Sequence, residues 1–519
     1  MGKTYFVGLR TLNESENCYR IRMSTAMEFW TCILCLCVAF FFILKLKSKT
    51  GNTSKLPPGP KPLPVIGNLL DLGEKPHKSL AAMAKVHGPI MSMKLGRVTA
   101  VVVSSSTMAK EVLQTNDQFL CNRAIPDALK AHAHDEVGFP WISVSPLWRN
   151  YRKICNNTLF AGKILDANEN LRRRKVEELL EIVRKSAAKG EAVDLGRLLF
   201  MTTLNLISNT VFSVDLADPN SELARKFKNY VWGILEEAGK PNLSDYFPVL
   251  RKLDIQGARR RMKIQMGNVL DLIDSMINQR MKQQELNPDS VPNNDMLHHL
   301  LKNEDTDAKL DRNQIEHLLV VLFVAGSDTS SGTLQWAMAE LLQNPEKLAK
   351  AQEEIRGVLG KNKPVEEADI PRLPYLQAVV KEVFRLHPVV PLLLPRKAQQ
   401  EVEIAGFTIP KDAQLLVNTW AMGRDSSVWE NPESFEPERF MGSEIDVRGR
   451  SFEVIPFGGG RRICPGLPLA MRMLHLILGS LINFFDWKVE DGLEVNMDDK
   501  FGVTVEMAHS LRAIPSLIV

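Results

Sequence analysis

The ten residues Phe457-Gly458-Gly459-Gly460-Arg461-Arg462-Ile463-Cys464-Pro465-Gly466 constrain this chain more than any other stretch. Three successive glycines allow positive φ and let the backbone lie against a flat ligand with no side chain in the way. Cys464 follows, and beyond Gly466 a helical spacing opens at Leu467, Leu469, Ala470, Met473 and Leu474. Backbone N–H groups at a helix N-terminus lower a thiol's pKa and stabilise the thiolate. Arg462 adds a fixed cation suited to an anionic carboxylate. The expectation is an anionic sulfur beside a glycine-opened surface. The plainer alternative is a glycine-rich turn carrying an incidental cysteine.

The segment resembles the haem-binding signature of the cytochrome P-450 family, F-x-x-G-x-R-x-C-x-G, at Phe457, Gly460, Arg462, Cys464 and Gly466. The resemblance extends from a proline-rich stretch (Pro57-Pro58-Gly59-Pro60-Lys61-Pro62) to the C terminus. It is most similar to plant microsomal members, the group that includes geraniol hydroxylases and diterpene oxidases. The resemblance implies a mainly α fold with a minor β-sheet region. One large haem domain would be preceded by an N-terminal membrane anchor. Cys464 would be the axial ligand to the iron of haem b, with Phe457 and Gly458 among the cofactor-binding residues. A thiolate ligand pushes electron density onto the iron and assists O–O cleavage.

A second segment, Ala325-Gly326-Ser327-Asp328-Thr329-Ser330, interrupts a helical pattern running from about Asn313 to Gln343. Glycine and consecutive hydroxyl residues are poor interior helix formers, and Ser and Thr bond back to earlier carbonyls. A local opening of the helix is expected, with a hydroxyl and a carboxylate beside it. Oxygen activation needs protons, and such a pair supplies them. By resemblance, Thr329 is the oxygen-side threonine and Asp328 its acidic neighbour. The alternative is an ordinary kinked core helix.

Glu382 and Arg385 lie three residues apart, on one helix face. With Pro437-Glu438-Arg439-Phe440 they resemble the family's E-x-x-R and P-E-R-F motifs, which implies a structural charge network of Glu382, Arg385 and Arg439. Trp148 and Arg152 resemble its W-x-x-x-R motif, and Arg396 another carboxylate contact. Indole and guanidinium are donors without acceptors, which suits a haem propionate.

The resemblance places substrate against several separated segments, and Phe323, Ala325, Leu392, Leu393 and Val503 are the expected pocket residues. An apolar pocket with few polar groups suits a lipophilic substrate. His132 and His134 have no matching cysteine or acid cluster and read as loop or surface histidines rather than a metal site. No dinucleotide or flavin module is visible, so electrons from NADPH must arrive through a separate NADPH-cytochrome P-450 reductase. Arg149, Lys153 and Arg461 are candidate steering charges for that partner.

A formal net charge of +4 argues for no nucleic-acid partner, and runs such as Arg172–Arg174 and Arg259–Arg261 read as solvated helix faces. Seven cysteines without repeated spacing argue against a disulfide framework. Residues 29–44 form an uncharged apolar run followed by Lys45, Lys47 and Lys49, which favours an uncleaved anchor over a cleaved signal. The expected organisation is 1–26, an extension of uncertain status, with Met27 a possible alternative start. Then come an anchor helix at 27–46, a basic, proline-rich hinge at 47–62 and the catalytic haem domain at 63–519. The expected location is the endoplasmic reticulum membrane, single-pass, with the catalytic domain cytosolic.

The reading is a reductase-coupled monooxygenase that uses dioxygen to hydroxylate a lipophilic plant metabolite, a mono- or diterpenoid. Two alternatives stay open at this point. One is a haem-thiolate isomerase or dehydratase that needs no external electrons. The other is a non-catalytic haem-binding sensor.

Overall fold

The structure is a computed structural model that describes residues 55–217, 222–286, 295–302, 309–490 and 494–518. The expected extension, the anchor and residues 47–54 of the hinge lie outside the described residues. The helices that build the site are α1 (Pro146–Ile154), α2 (Leu195–Phe212), α3 (Glu222–Gly239), α4 (Ala258–Leu286), α5 (Arg312–Gln343), α6 (Pro374–Leu386) and α7 (Leu467–Phe484). The fold is mainly helical with small sheets, as the resemblance implied.

Helix α5 starts cleanly because Asp311 and Gln314 form a capping box: the Asp311 carboxylate accepts from Gln314 N at 2.8 Å, and Gln314 Oε1 accepts from Asp311 N at 3.2 Å. Its interior residues are buried on nearly every side, so it runs through the core. The expected opening at 325–330 is not a break; the helix is continuous from Arg312 to Gln343. Its hydroxyls bond back instead: Ser327 Oγ to Phe323 O (2.8 Å), Thr329 Oγ1 to Ala325 O (2.7 Å) and Thr333 Oγ1 to Thr329 O (2.8 Å). Thr203 on α2 reaches across and donates to Ser327 O at 3.1 Å. Gly326 permits this close crossing, since a Cβ there would stand 3.0 Å from Ile207 Cδ1.

Five strands form the main sheet: β1 (Ile90–Leu95), β2 (Val98–Val103), β3 (Asn122–Arg123), β4 (Arg396–Lys397) and β5 (Gln414–Val417), in the order β1-β2-β5-β4-β3. Only β2 and β5 pair in parallel. Ala100 to Val103 are fully buried, as an interior, apolar strand requires. A hairpin of β6 (Asp499–Phe501) and β7 (Val505–Met507) packs beside α5.

The described part of the proline-rich hinge lies along β1. Ser92 N and Oγ donate to Pro58 O (2.8 Å) and Pro57 O (2.7 Å). Gly59 is required there, because a Cβ would stand 1.7 Å from Ser92 O. Helix α4 continues to Leu286, and residues 287–294 lie outside the described set. Arg172 is not on a solvated face. It is buried and paired with Glu367, because α-helical phase turns it inward while Arg173 and Arg174 stay exposed. Among the described residues, Leu467–Phe484 is the one helix apolar and long enough to cross a membrane, but it is 72% buried inside the fold and serves as a core helix.

Candidate active site

The loop before α7 is held by its own backbone. Cys464 N donates to Phe457 O at 2.9 Å, and Ile463 N to Gly460 O at 3.1 Å. Gly458 (φ 70°) and Gly460 (φ 66°) use the left-handed region. Gly459 does not; it is extended at φ −157°. A Cβ on Gly460 would stand 1.9 Å from Leu113 O, so that glycine is required twice over.

Cys464 has uncovered surface, and that surface faces an internal cavity. Burial raises its pKa, opposed by the N–H of Gly466, the charge of Arg152 and the N–H of Leu467. The expected lowering is therefore reversed in the protein alone: two backbone donors and one cation do not offset the loss of water. A metal cation at the sulfur deprotonates a coordinating thiol outright.

Four guanidinium groups converge near this loop: Arg123, Arg152, Arg396 and Arg462 line the same cavity. Arg152 Nη1 donates to Ile463 O. Arg396 donates to Asp117 Oδ1 at 2.7 Å and Gly459 O at 3.2 Å. Arg462 donates to Cys121 O (3.0 Å) and Ile142 O (2.6 Å), and its guanidinium lies 4.9 Å over the Trp148 ring. Burial lowers the pKa of all four, Arg462 to about 10, and Arg396 and Arg462 further depress Arg123. Asp117 is the carboxylate that offsets Arg396 and Arg462. Arg462 Nη1 is buried without a hydrogen-bond partner. Crowded buried cations with an orphaned donor call for further anionic acceptors. A flat group carrying two carboxylates fits this wall, and Trp148 lies within it. Arg123 escaped the sequence reading, since no motif marks it. It faces Arg396 directly in the β3–β4 register, a pairing invisible in local sequence.

Across the cavity, Thr329 and Ala325 share one face of α5 and line the wall. Asp328 points away from that wall and is buried. Its pKa is raised by burial, against the opposing effects of Thr504 and Lys228. The Thr504 hydroxyl stands beside this carboxyl yet completes no hydrogen bond of ordinary geometry.

Leu393 and Val503 also line the cavity, but Phe323 and Leu392 do not. Phe323 lies six residues before Thr329, off its helical phase. Its ring packs instead on Phe212 (5.8 Å, stacked) and Phe227 (6.0 Å, edge-on). Leu393 adopts φ 49°, and Leu392 packs instead against the apolar cluster of Leu72, Leu80 and the β1 and β2 residues Met91, Met93, Leu95, Ala100 and Val102. His134 departs from its expected surface position. It is buried, with its Nδ1 2.7 Å from Nδ1 of His317 on α5, while His132 is exposed and bonds Lys263 O.

Glu382, Arg385 and Arg439 are joined in one set of ion pairs. Arg385 bonds both Glu382 oxygens at 2.7 Å, and both side chains are fully buried. Arg439 Nε adds a third contact to Glu382 at 3.0 Å. Arg385 also donates to the carbonyls of Gly423, Pro432 and Ser434.

A cavity with a cysteine sulfur in one wall, a guanidinium-rich carboxylate cradle beside it and a helix hydroxyl opposite defines the haem-thiolate class. The cytochrome P450 family model matches residues 57–510, and the chain belongs to that family. It is a haem-thiolate monooxygenase. It is 51% identical to geraniol 8-hydroxylase of Catharanthus roseus over 95% of this chain and 100% of that one. It is 52% identical to geraniol 8-hydroxylase of Swertia mussotii (93% and 98%) and 50% identical to drimenol monooxygenase of Persicaria hydropiper (94% and 97%).

Proposed function

We propose that this protein hydroxylates a terpenoid, with NADPH electrons delivered by a separate cytochrome P-450 reductase at the endoplasmic reticulum membrane. The observation that carries this reading is the cavity itself: a largely apolar wall that includes both Thr329 and Cys464. An apolar cavity selects lipophilic molecules, and the names of the relatives point to terpenoids. Residues 27–46 would anchor the chain, with the haem domain on the cytosolic side. Residues 57–510, which match the family model, start within the hinge.

Haem b, bound with Cys464 as its thiolate ligand, would supply activation of dioxygen and insertion of one oxygen atom into a C–H bond. Phe457 and Gly458 lie against its expected site, and Arg152, Arg396, Arg462 and Trp148 would hold its carboxylates. Arg123 joins them on the same wall. Thr329 Oγ1 holds a proton donor at the oxygen side. Asp328, buried with a raised pKa, would hold a proton of its own to pass toward Thr329. Ala325, Leu393 and Val503 exclude water and press the hydrocarbon toward that side. Glu382, Arg385 and Arg439 hold the scaffold.

A rearrangement without external electrons has no need of the Asp328–Thr329 pair, and a sensor has no need of an apolar cavity open to both. Carbon monoxide difference spectroscopy, followed by NADPH consumption with terpenes and added reductase, separates the three readings. Product formation that proceeds without NADPH would overturn the proposal.

A further inference from the structure

One polar side chain in this cavity serves neither the cysteine loop nor the oxygen side. His134 is 3% exposed and lines the wall with Leu129, Met266 and Met296. Its Nδ1 is 2.7 Å from the Nδ1 of His317, itself 1% exposed, with the rings tilted by 31°. Among the described residues, nothing bonds the Nε2 of His134. Gly138 stands beside that edge, where a side chain would crowd it: a Cβ would stand 2.7 Å from Nε2. A ring nitrogen without a protein partner, on a residue that lines a cavity, is open to a polar group of a ligand.

The pair fixes what that partner can be. An Nδ1···Nδ1 hydrogen bond requires a single proton between the rings. If His134 donates it, its Nε2 is a bare acceptor. If His134 accepts it, its Nε2 carries the hydrogen. A hydroxyl group satisfies either tautomer, since it both donates and accepts. Among the described residues, His317 is the titratable group that acts on His134, and burial keeps both rings neutral near pH 7. A carboxylate or ammonium would find no counter-charge there.

We propose that His134, set by His317, is the anchor for the hydroxyl group of an alcohol substrate, so that this monooxygenase takes terpenoid alcohols in preference to the corresponding hydrocarbons. The inference rests on the terpenoid reading above and narrows it. His317 and Thr329 are twelve residues apart on α5, about 18 Å along the axis at ~1.5 Å per residue. A hydroxyl held at His134 therefore lies remote from Thr329, and the hydrocarbon end of the molecule is the part presented to the oxygen side.

The test is a binding experiment on the haem-loaded full chain. Geraniol and its deoxy hydrocarbon are titrated by haem spectral shift and, in parallel, by equilibrium dialysis. The wild type is expected to hold geraniol roughly tenfold more tightly, the factor that corresponds to ~1.4 kcal/mol. In His134→Phe the preference falls to about one, with hydrocarbon affinity within about twofold of wild type; a merely structural role for the ring would weaken both ligands together. His134→Gln keeps a polar end and retains part of the preference. Equal wild-type affinity for both ligands overturns the anchor and leaves the terpenoid reading standing. Undiminished preference in His134→Phe overturns the anchor alone. Should that variant take up no haem, the wild-type contrast and His134→Gln decide. If the wild type binds neither ligand, the terpenoid reading falls and the anchor falls with it.

Discussion

Arg462 lies 4.9 Å over the face of Trp148, and one of its terminal nitrogens, Nη1, is buried with no acceptor. The stacking holds the guanidinium in place while leaving a donor uncommitted. An orphaned, charged donor is costly unless a ligand completes it. Arg462→Leu is therefore expected to weaken haem retention about 10- to 100-fold, from loss of ~1.5–3 kcal/mol of charged hydrogen bonding. The haem-to-protein ratio after dialysis against apomyoglobin measures it, and a ratio equal to wild type counts against the carboxylate role.

Glu382 and Arg385 are both fully buried, so neither charge tolerates loss of the other. Arg385→Ala leaves Glu382 with Arg439 and the N–H of Glu436 and is expected to cost about 3–5 kcal/mol of stability. The variant should accumulate poorly and unfold at lower urea. Normal expression with full haem content would contradict the structural role.

In the proposed relay Thr329, which faces the cavity, is the proton's last stop, and Asp328, buried behind it, is the source. Thr329→Ala is expected to lower product formed per NADPH several-fold, with the substrate-induced spectral shift intact. Asp328→Asn is expected to slow turnover by about 10²-fold, the lower end of general acid–base effects. Product yield and NADPH consumption, measured side by side, distinguish the two.

Burial lowers the pKa of His134 to about 3 and of His317 to about 4. Both lie below the ordinary histidine value of 6.5, so the unfolded chain binds protons that the folded chain refuses. Stability from the neutral pair is complete above pH 6.5 and is lost as pH falls toward 4, at about 1.4 kcal/mol per pH unit for each histidine. The drop in urea midpoint between pH 7.5 and 5.5 should be smaller in His317→Phe than in wild type. An equal drop would mean that the pair stays charged or exposed.

The features that could be read from the chain were those packed into short, local patterns. Cys464, Gly460 and Arg462 lie within one loop, and Glu382 and Arg385 within one helical turn, so spacing alone brought them together. Residues joined by tertiary pairing were not visible. Arg123 meets Arg396 through strand register, and His134 meets His317 across 183 positions. The place of Phe323 is not legible, because apolar character does not reveal which side of a fully buried helix a residue occupies. The place of Leu392 is not legible either, because a positive φ at the non-glycine Leu393 leaves no mark in the sequence. The direction of the thiol pKa is not legible locally, because burial, a tertiary property, outweighs the nearby N–H donors.

The account rests on the sulfur of Cys464 as the ligand to haem iron. The most direct measurement is the carbon monoxide difference spectrum of the reduced protein and of Cys464→Ser. The wild type should give the long-wavelength Soret band characteristic of thiolate ligation, and the variant should lose that band and the hydroxylase activity together. A variant that keeps the thiolate band, or a wild type that lacks it, would contradict the account.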